Sequence, residues 1–152
     1  MRKHLLLSIL LVWSVSIYAQ QAKYVFYFIG DGMGINQVQG TDIYRAELKK
    51  KPGISPLLFT QFPYSTIATP YSARNRVTDS AAAGTALATG HKTQNSAIGV
   101  LKDQKTPINS IAVWARNKGC RVCIATSVTV NHATPSAFYA HAATRTLYHE
   151  IG

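Results

Sequence analysis

The stretch from Val77 to Gly90, VTDSAAAGTALATG, most constrains what this chain can fold into. Thr78, Asp79 and Ser80 can each cap a helix, and the alanine-rich run after them predicts a helix thin enough to pack against neighbouring backbone. A hydroxyl at such a helix start lies beside unpaired backbone N–H groups and the positive end of the helix dipole. This setting favours a phosphate-sized anion and suits a serine nucleophile. The alternative is that Ser80 only caps the helix.

The amino-terminal nineteen residues have the pattern of a secretory signal peptide. Basic residues at positions 2–4 precede an apolar run from Leu5 to Val15, and Ala19 is a small residue before the expected cleavage. The apolar run is short for a bilayer span, which disfavours a retained anchor. We therefore expect a signal peptide over 1–19 and an exported mature part over 20–152, periplasmic or extracellular, with no membrane span in the mature part.

The chain is basic, with 16 Lys and Arg against 6 acidic residues and a formal charge of +10. Such a charge is compatible with nucleic acid, an acidic surface or anionic small molecules. The basic residues are scattered apart from a lysine run at 49–51, which reads as a solvated helix end. No stripe for nucleic acid is evident, so we expect no nucleic-acid partner.

Cys120 and Cys123 form a C-x-x-C pair inside a run that reads as a buried strand. Their odd spacing puts the two thiols on opposite faces of that strand, which disfavours a disulfide between them. The absence of a second cysteine pair excludes a zinc ribbon. We expect both to be buried structural cysteines.

Alternating strand and helix patterns predict an α/β fold. The apolar run Tyr24–Ile29 fits a central strand covered on both faces, and the glycine-rich segment 30–34 after it allows tight, positive-φ backbone where ligands gather in such sheets. Two more strands are predicted at 65–69 and 122–126. We expect a three-layer α/β/α sandwich with a mostly parallel central sheet, incomplete because residues 144–152 carry no terminating signal.

Helices are predicted between these strands, each from its capping residues or apolar period. One runs over 35–51 before Pro52, a short one lies within 55–62, and a third follows Ser80. A fourth extends from Thr106-Pro107 to Gly119, and a fifth begins at Thr134-Pro135 and places Phe138, His141 and Ala142 on one face.

Four further side chains are candidates for chemistry. Asp31 suits a divalent metal ion, although an Asp-Gly turn also explains it. Thr134 is explained as an N-cap before a proline, and His132 is either a ligand or a structural histidine. Arg145 is either a surface arginine or a bidentate clamp for phosphate oxygens. Together with the serine nucleophile they favour phosphoryl transfer in which a metal ion activates the hydroxyl.

Four motifs in order closely resemble the alkaline phosphatases: Ile29–Gly34, Val77–Ala82, Thr89–Thr93, and Ala133-Thr134-Pro135 through Arg145. The resemblance covers nearly all of the mature chain and the amino-terminal third or so of a family member. It implies hydrolysis of phosphate monoesters, two Zn²⁺ and one Mg²⁺, and a homodimeric full-length protein.

The resemblance also implies roles for individual residues. Ser80 matches the serine that attacks phosphate and forms a phosphoserine, Arg145 the arginine that holds two phosphate oxygens, and Asp79 the aspartate that orients that arginine.

The resemblance also assigns metal ligands. Asp31 matches the carboxylate that bridges the second zinc and the magnesium, Ser80 also touches the second zinc, and Thr134 matches a magnesium ligand. His132 stands where bacterial members often carry aspartate and animal members histidine, which leaves the ion at the third metal site open.

The family's remaining zinc and magnesium ligands have no counterpart in this sequence, and a catalytic zinc usually needs three protein ligands. We therefore expect the 152 residues alone to be inactive. Two alternatives stay open: a phosphodiesterase of the same superfamily, and a non-catalytic phosphate-binding module. The Thr78–Ser80 segment disfavours a sulfatase.

Overall fold

The computed structural model describes residues 22–152, so the signal peptide predicted at 1–19 lies outside the described residues. The chain divides into two units, Met1–Gly30 and Asp31–Gly152, which are described separately.

The described part of the first unit, residues 22–30, contains no assigned strand. Phe26 and Phe28 stack with their ring centroids 6.4 Å apart, because alternate residues of an extended chain point the same way. Phe28 is 88% exposed. The predicted central strand over Tyr24–Ile29 is therefore not present within residues 22–30. A strand is defined by hydrogen bonds to a neighbour, and the β-bridges among the described residues lie elsewhere.

The second unit is built from short helices joined by long connections. The helices are α1 (Ile35–Leu48), a 3₁₀ helix (Leu58–Gln61), α2 (Ser80–Thr89), α3 (Ile111–Asn117), α4 (Ala133–Ser136) and α5 (Tyr148–Ile151). Two isolated antiparallel bridges join Ile98 to Ala142 and Val100 to Pro107. No helix in the described part of the chain has the length and apolar character that a membrane crossing needs.

The strands predicted at 65–69 and 122–126 are also absent from the described residues. Neither segment is assigned to a helix or a strand, and neither takes part in the β-bridges among the described residues. Cys120 and Cys123 are consequently exposed, and the prediction that they are buried is wrong for this structure. The apolar residues beside the two cysteines favour a strand with buried faces. A strand is buried, however, only where another layer of the structure covers it.

Helix α1 confirms the first predicted helix, with an earlier end. It stops at Leu48, and Lys50 takes a positive φ of 51° in the turn that follows. Asp42 on this helix is 7% exposed and its carboxylate accepts a hydrogen bond from the Leu57 N–H at 2.9 Å. A buried carboxylate is stable only when it is hydrogen-bonded, so this contact fixes the connection after α1.

Helix α2 is the centre of the core. Asp79 is its N-cap and accepts from the Ala82 N–H at 2.9 Å, while Gly90 ends it in the left-handed conformation, φ 76°. Its buried side chains join one cluster with residues that follow later in the chain: Ala81, Ala88, Ile98, Ala133, Ala137, Ala140, Ala142 and Ile151.

Small residues let α4 approach α2 closely. A Cβ added at Gly84 would lie 3.2 Å from the Ala137 Cβ and 3.4 Å from the Thr134 Cα. Because protein cores are close-packed, the missing side chain at Gly84 determines how near Thr134 comes to the start of α2.

Two helix boundaries differ from the prediction. Helix α3 begins at Ile111 and is capped by Ser110, whose Oγ accepts from the Val113 N–H; the Thr106-Pro107 pair instead belongs to a turn and a bridge. Helix α4 ends at Ser136, and Ala142 pairs with Ile98. The predicted face of Phe138, His141 and Ala142 therefore does not form on one helix.

Candidate active site

Two hydroxyls converge on one carboxylate. The Ser80 Oγ donates to Asp31 Oδ1 at 3.0 Å, and the Thr134 Oγ1 donates to Asp31 Oδ2 at 2.8 Å. These contacts join residues that are 49 and 103 positions apart in the sequence. The fold thus brings together three of the residues predicted for the site, and we call them the hydroxyl–carboxylate cluster.

The local structure leaves both hydroxyls free for this contact. Ser80 is the first residue of α2, which is capped by Asp79, so the interpretation that Ser80 only caps the helix is wrong. Thr134 lies inside α4, whose N-cap is His132, so the N-cap interpretation of Thr134 is wrong too. In both places the preceding residues define the helix start.

Asp79, Arg145 and His132 form a second group. Asp79 Oδ2 accepts from the Ser96 N–H at 2.9 Å and lies 3.5 Å from Arg145 Nη1, with both side chains about a quarter exposed. Arg145 Nη2 lies 3.3 Å from His132 Nε2. The guanidinium is therefore held from two sides, and the Arg145 N–H also donates to the Ser96 carbonyl at 2.7 Å.

His132 has one engaged and one open ring nitrogen. A guanidinium only donates, so Nε2 accepts from Arg145 and the ring proton lies on Nδ1 in this arrangement. Nδ1 is buried and has no hydrogen-bond partner among the described residues. An unpaired buried nitrogen is costly, and coordination of a metal ion would satisfy it once the proton moves to Nε2 and the Arg145 contact is released.

The donors present suit a metal ion in part. A carboxylate with two hydroxyl oxygens is a ligand set that magnesium accepts, and an imidazole suits zinc. In residues 22–152, no group of three or more His, Cys, Asp or Glu side chains gathers at one place. The hydroxyl–carboxylate cluster therefore fits part of the ligand set of a metal centre.

Asn95 is a site residue that the sequence reasoning missed. Its Oδ1 accepts from the Asp79 N–H at 3.3 Å and its Nδ2 donates to the Val77 carbonyl at 3.1 Å, so it fixes the chain just before Ser80. The segment 91–100 lies outside the predicted helices and strands, and irregular segments often carry such contacts. Only the polar pair Asn95-Ser96 before a buried run was a signal in the sequence.

A family model described as "Alkaline phosphatase" matches residues 22–152. Among curated relatives, the tissue-nonspecific alkaline phosphatase isozyme of Felis catus is 39% identical over 136 residues, which is 83% of this chain and 26% of that protein. The chain thus spans about a quarter of the length of the curated relatives it matches.

Solved structures give the same likeness. The cold-active alkaline phosphatase of the psychrophile Shewanella sp. is 37% identical with a TM-score of 0.72, over 81% of this chain and 31% of that one. The alkaline phosphatase of the Antarctic bacterium TAB5, as a variant with a histidine replaced by glutamate and magnesium bound in the M3 site, is 35% identical with a TM-score of 0.67, over 81% of this chain and 33% of that one.

Proposed function

The chain belongs to the alkaline phosphatase family, and from this premise we propose that its protein hydrolyses phosphate monoesters through a phosphoserine at Ser80. The hydroxyl–carboxylate cluster carries the proposal. Ser80 Oγ is held at 3.0 Å from Asp31, at the start of a helix whose dipole favours an incoming anion.

The chemistry divides into two displacements at phosphorus. The Ser80 hydroxyl releases its proton to solvent as Oγ bonds to phosphorus, while the ester P–O bond breaks and the alcohol leaves with a proton from solvent. Water then releases a proton to solvent as its oxygen bonds to phosphorus, while the P–Oγ bond breaks and Oγ takes up a proton, which restores the serine and releases phosphate. Two easier steps replace one difficult step.

Arg145 is the proposed clamp for two phosphate oxygens, since a planar guanidinium matches their geometry. Asp79 positions Arg145 through the 3.5 Å ion pair. Without metal, His132 Nε2 accepts from the same guanidinium on its other side. Metal binding at His132 Nδ1 would release that contact, and the ion pair with Asp79 would then hold Arg145 in place for the substrate.

Asp31, Ser80 and Thr134 are the proposed ligands that this chain contributes to two Zn²⁺ and one Mg²⁺, with His132 beside the third site. The bound ions would stabilise the deprotonated forms of the serine hydroxyl and of the attacking water. The buried, unpaired Nδ1 of His132 supports a ligand role. The TAB5 variant holds magnesium in its M3 site, which supports magnesium as one of the proposed ions.

The remaining proposals rest on family membership. They are a three-layer α/β/α sandwich in which 24–29, 65–69 and 122–126 become strands, export of the mature protein, and a homodimer. The described residues offer one carboxylate, two hydroxyls and one imidazole to metal, which is fewer than two zinc ions need. We therefore expect no turnover from these 152 residues alone.

The test is release of p-nitrophenol from p-nitrophenyl phosphate by the full-length natural protein with zinc and magnesium. Ser80→Ala should lower kcat by at least about a thousandfold because it removes the nucleophile. Ser127→Ala, at an exposed serine outside the cluster, should retain activity. Undiminished turnover by Ser80→Ala would exclude the proposed mechanism, and a higher kcat/KM for bis(p-nitrophenyl) phosphate would indicate a phosphodiesterase.

A further inference from the structure

The loop before α2 is a basic surface segment that the proposed chemistry does not use. Residues 71–76, here called the arginine loop, line an open hollow in the surface. Arg74 and Arg76 are both exposed. Within the described residues, neither guanidinium has an acidic side chain within ion-pair distance.

The arginine loop is held in one shape by its own backbone. Ser72 is 4% exposed, its N–H donates to the Asn75 carbonyl at 3.1 Å, and its Oγ accepts from the Asn75 N–H at 3.0 Å. The Ala73 N–H donates to the Thr93 carbonyl at 2.8 Å. Because these hydrogen bonds already fix the backbone of the loop, binding of an anion to its guanidinium groups costs little further conformational entropy.

Lys92 adds a third positive charge beside the loop. Its Nζ lies 3.4 Å from the centroid of the Tyr71 ring and donates to the Tyr71 carbonyl at 2.5 Å. This cation–π contact holds the ammonium at the end of the loop. The charge is local rather than a long stripe, which matches a small anion better than a polymer.

The loop lies close to the nucleophile. Arg76 precedes Ser80 by four residues, and four residues of extended chain span at most about 14 Å. Asn95 holds the intervening chain at Val77 and Asp79. An arginine side chain and the leaving group of a substrate at Ser80 can together bridge a separation of this size.

We propose that the arginine loop binds a second anionic group, a carboxylate or phosphate carried on the leaving group of the substrate. The preferred substrates are then phosphate monoesters with a further negative charge, because bidentate guanidinium contacts favour such oxyanions. This inference rests on the proposed phosphatase function and specifies its substrate class.

The kinetic test compares 4-carboxyphenyl phosphate with phenyl phosphate, two substrates that differ by one carboxylate, using the full-length metal-loaded protein. The natural protein should show a higher kcat/KM for the carboxylated substrate. The double variant Arg74→Gln with Arg76→Gln should lower the ratio of the two kcat/KM values about tenfold, the effect of losing one charge-assisted hydrogen bond. Arg116→Gln, an exposed arginine on α3, should leave the ratio unchanged. An unchanged ratio in the double variant would overturn the proposal.

A binding test separates failure of this proposal from failure of the phosphatase function. Inorganic pyrophosphate is titrated calorimetrically into the 152-residue chain in EDTA, where no turnover is needed. The double variant should bind it at least about tenfold more weakly than Arg116→Gln does. Equal affinities of the two variants for pyrophosphate would overturn the subsite. If the double variant lost affinity for heparin but not for pyrophosphate, the subsite would also be overturned, and the loop would be assigned to acidic polymers. If phenyl phosphate is not hydrolysed at all, the enzymatic proposal fails while this binding result still stands.

Discussion

At the scale of single residues, hydrogen bonds stabilise the charged form of the Asp103 side chain in an exposed turn. Asp103 accepts from the Thr106 hydroxyl at 2.5 Å and from the Thr106 and Lys105 N–H groups, each at 3.0 Å. These bonds, the Thr106 hydroxyl above all, lower the pKa of Asp103 from 3.8 to about 2, since they favour the carboxylate over the neutral acid.

The pH dependence of this turn follows from the lowered pKa. The contribution of the Asp103 carboxylate to stability is complete above its unfolded pKa of 3.8 and is lost as the pH falls through about 2. In a carbon-detected NMR titration, Thr106→Val should raise the pKa of Asp103 towards 3.8. Thr60→Val, whose hydroxyl donates to the Leu57 carbonyl instead, should not move it. An Asp103 that already titrates near 3.8 in the natural chain would contradict the expectation.

Gly99 is a position at which the surrounding backbone leaves no room for a side chain. Its φ is +59°, and an added Cβ would lie 2.1 Å from the Ala140 carbonyl oxygen and 2.9 Å from His141 Nδ1. Gly99→Ala should therefore lower the free energy of unfolding by at least about 3 kcal/mol, from left-handed strain and a backbone clash together.

Gly90→Ala is the matched control for Gly99. Gly90 has φ +76° but nothing within 4 Å of the added Cβ, so it should cost only about 1 kcal/mol. Urea denaturation of both variants measures the difference. Equal losses would show that the close approach to Ala140 contributes nothing.

At the scale of elements, Gly84 sets the distance between α2 and α4. Gly40, in α1, offers a comparison because nothing lies within 4 Å of its added Cβ. Gly40→Ala should stabilise the chain by about 0.5–1 kcal/mol through helix propensity. Gly84→Ala should gain less, because its Cβ meets Ala137 at 3.2 Å, and α4 must shift by a few tenths of an ångström.

Amide chemical shifts around Thr134 report that displacement of α4. They should change in Gly84→Ala and stay constant in Gly40→Ala. Equal thermal stabilisation by the two substitutions, without a change at Thr134, would mean that α4 does not depend on the small residue beneath it.

Elements were predictable from the sequence where their signals are local. Helix α2 follows from Asp79 before it and Gly90 after it, and α1 from its position between Gly34 and Pro52. The strand at Tyr24–Ile29 was not found in the described residues, because a strand depends on neighbours that the pattern itself does not supply. The N-cap prediction for Thr134 was wrong because α4 begins at Ala133 with His132 as its N-cap, which leaves the Thr134 hydroxyl to donate to Asp31.

The site was predictable as a set of residues but not as a geometry. The motif resemblance named Asp31, Ser80 and Thr134 together, and the fold joins them. It did not name Asn95, whose two hydrogen bonds to the Val77–Asp79 segment exist only after distant segments pack together. Contacts of that kind carry no signature at a single position.

At the scale of the whole molecule, large apolar side chains remain uncovered. Ile67 is 89% exposed, Val25 82% and Trp114 62%. Exposed apolar surface of this extent marks places where proteins bind other surfaces or associate. It is consistent with a sheet that further chain would complete, as proposed from the family.

The thiols provide a direct measure of this exposure. Cys120 and Cys123 are free and exposed, so both should react with Ellman's reagent in the native 152-residue chain as fast as in urea. In the full-length protein both should react slowly, because the proposed sheet covers them. Protected thiols in the short chain would show that the 119–125 segment is already buried there.

The hydrogen bond between Asp31 and Thr134 also determines when the cluster can be completed during synthesis of the chain. The ribosome releases Asp31 103 residues before Thr134, an interval of about 5–20 s at ordinary rates of synthesis. Closing so long a loop is slow compared with forming α2, whose contacts are local. Thr134 can therefore reach Asp31 only late in synthesis, and until then the newborn chain lacks one of the three oxygen-bearing side chains of the hydroxyl–carboxylate cluster.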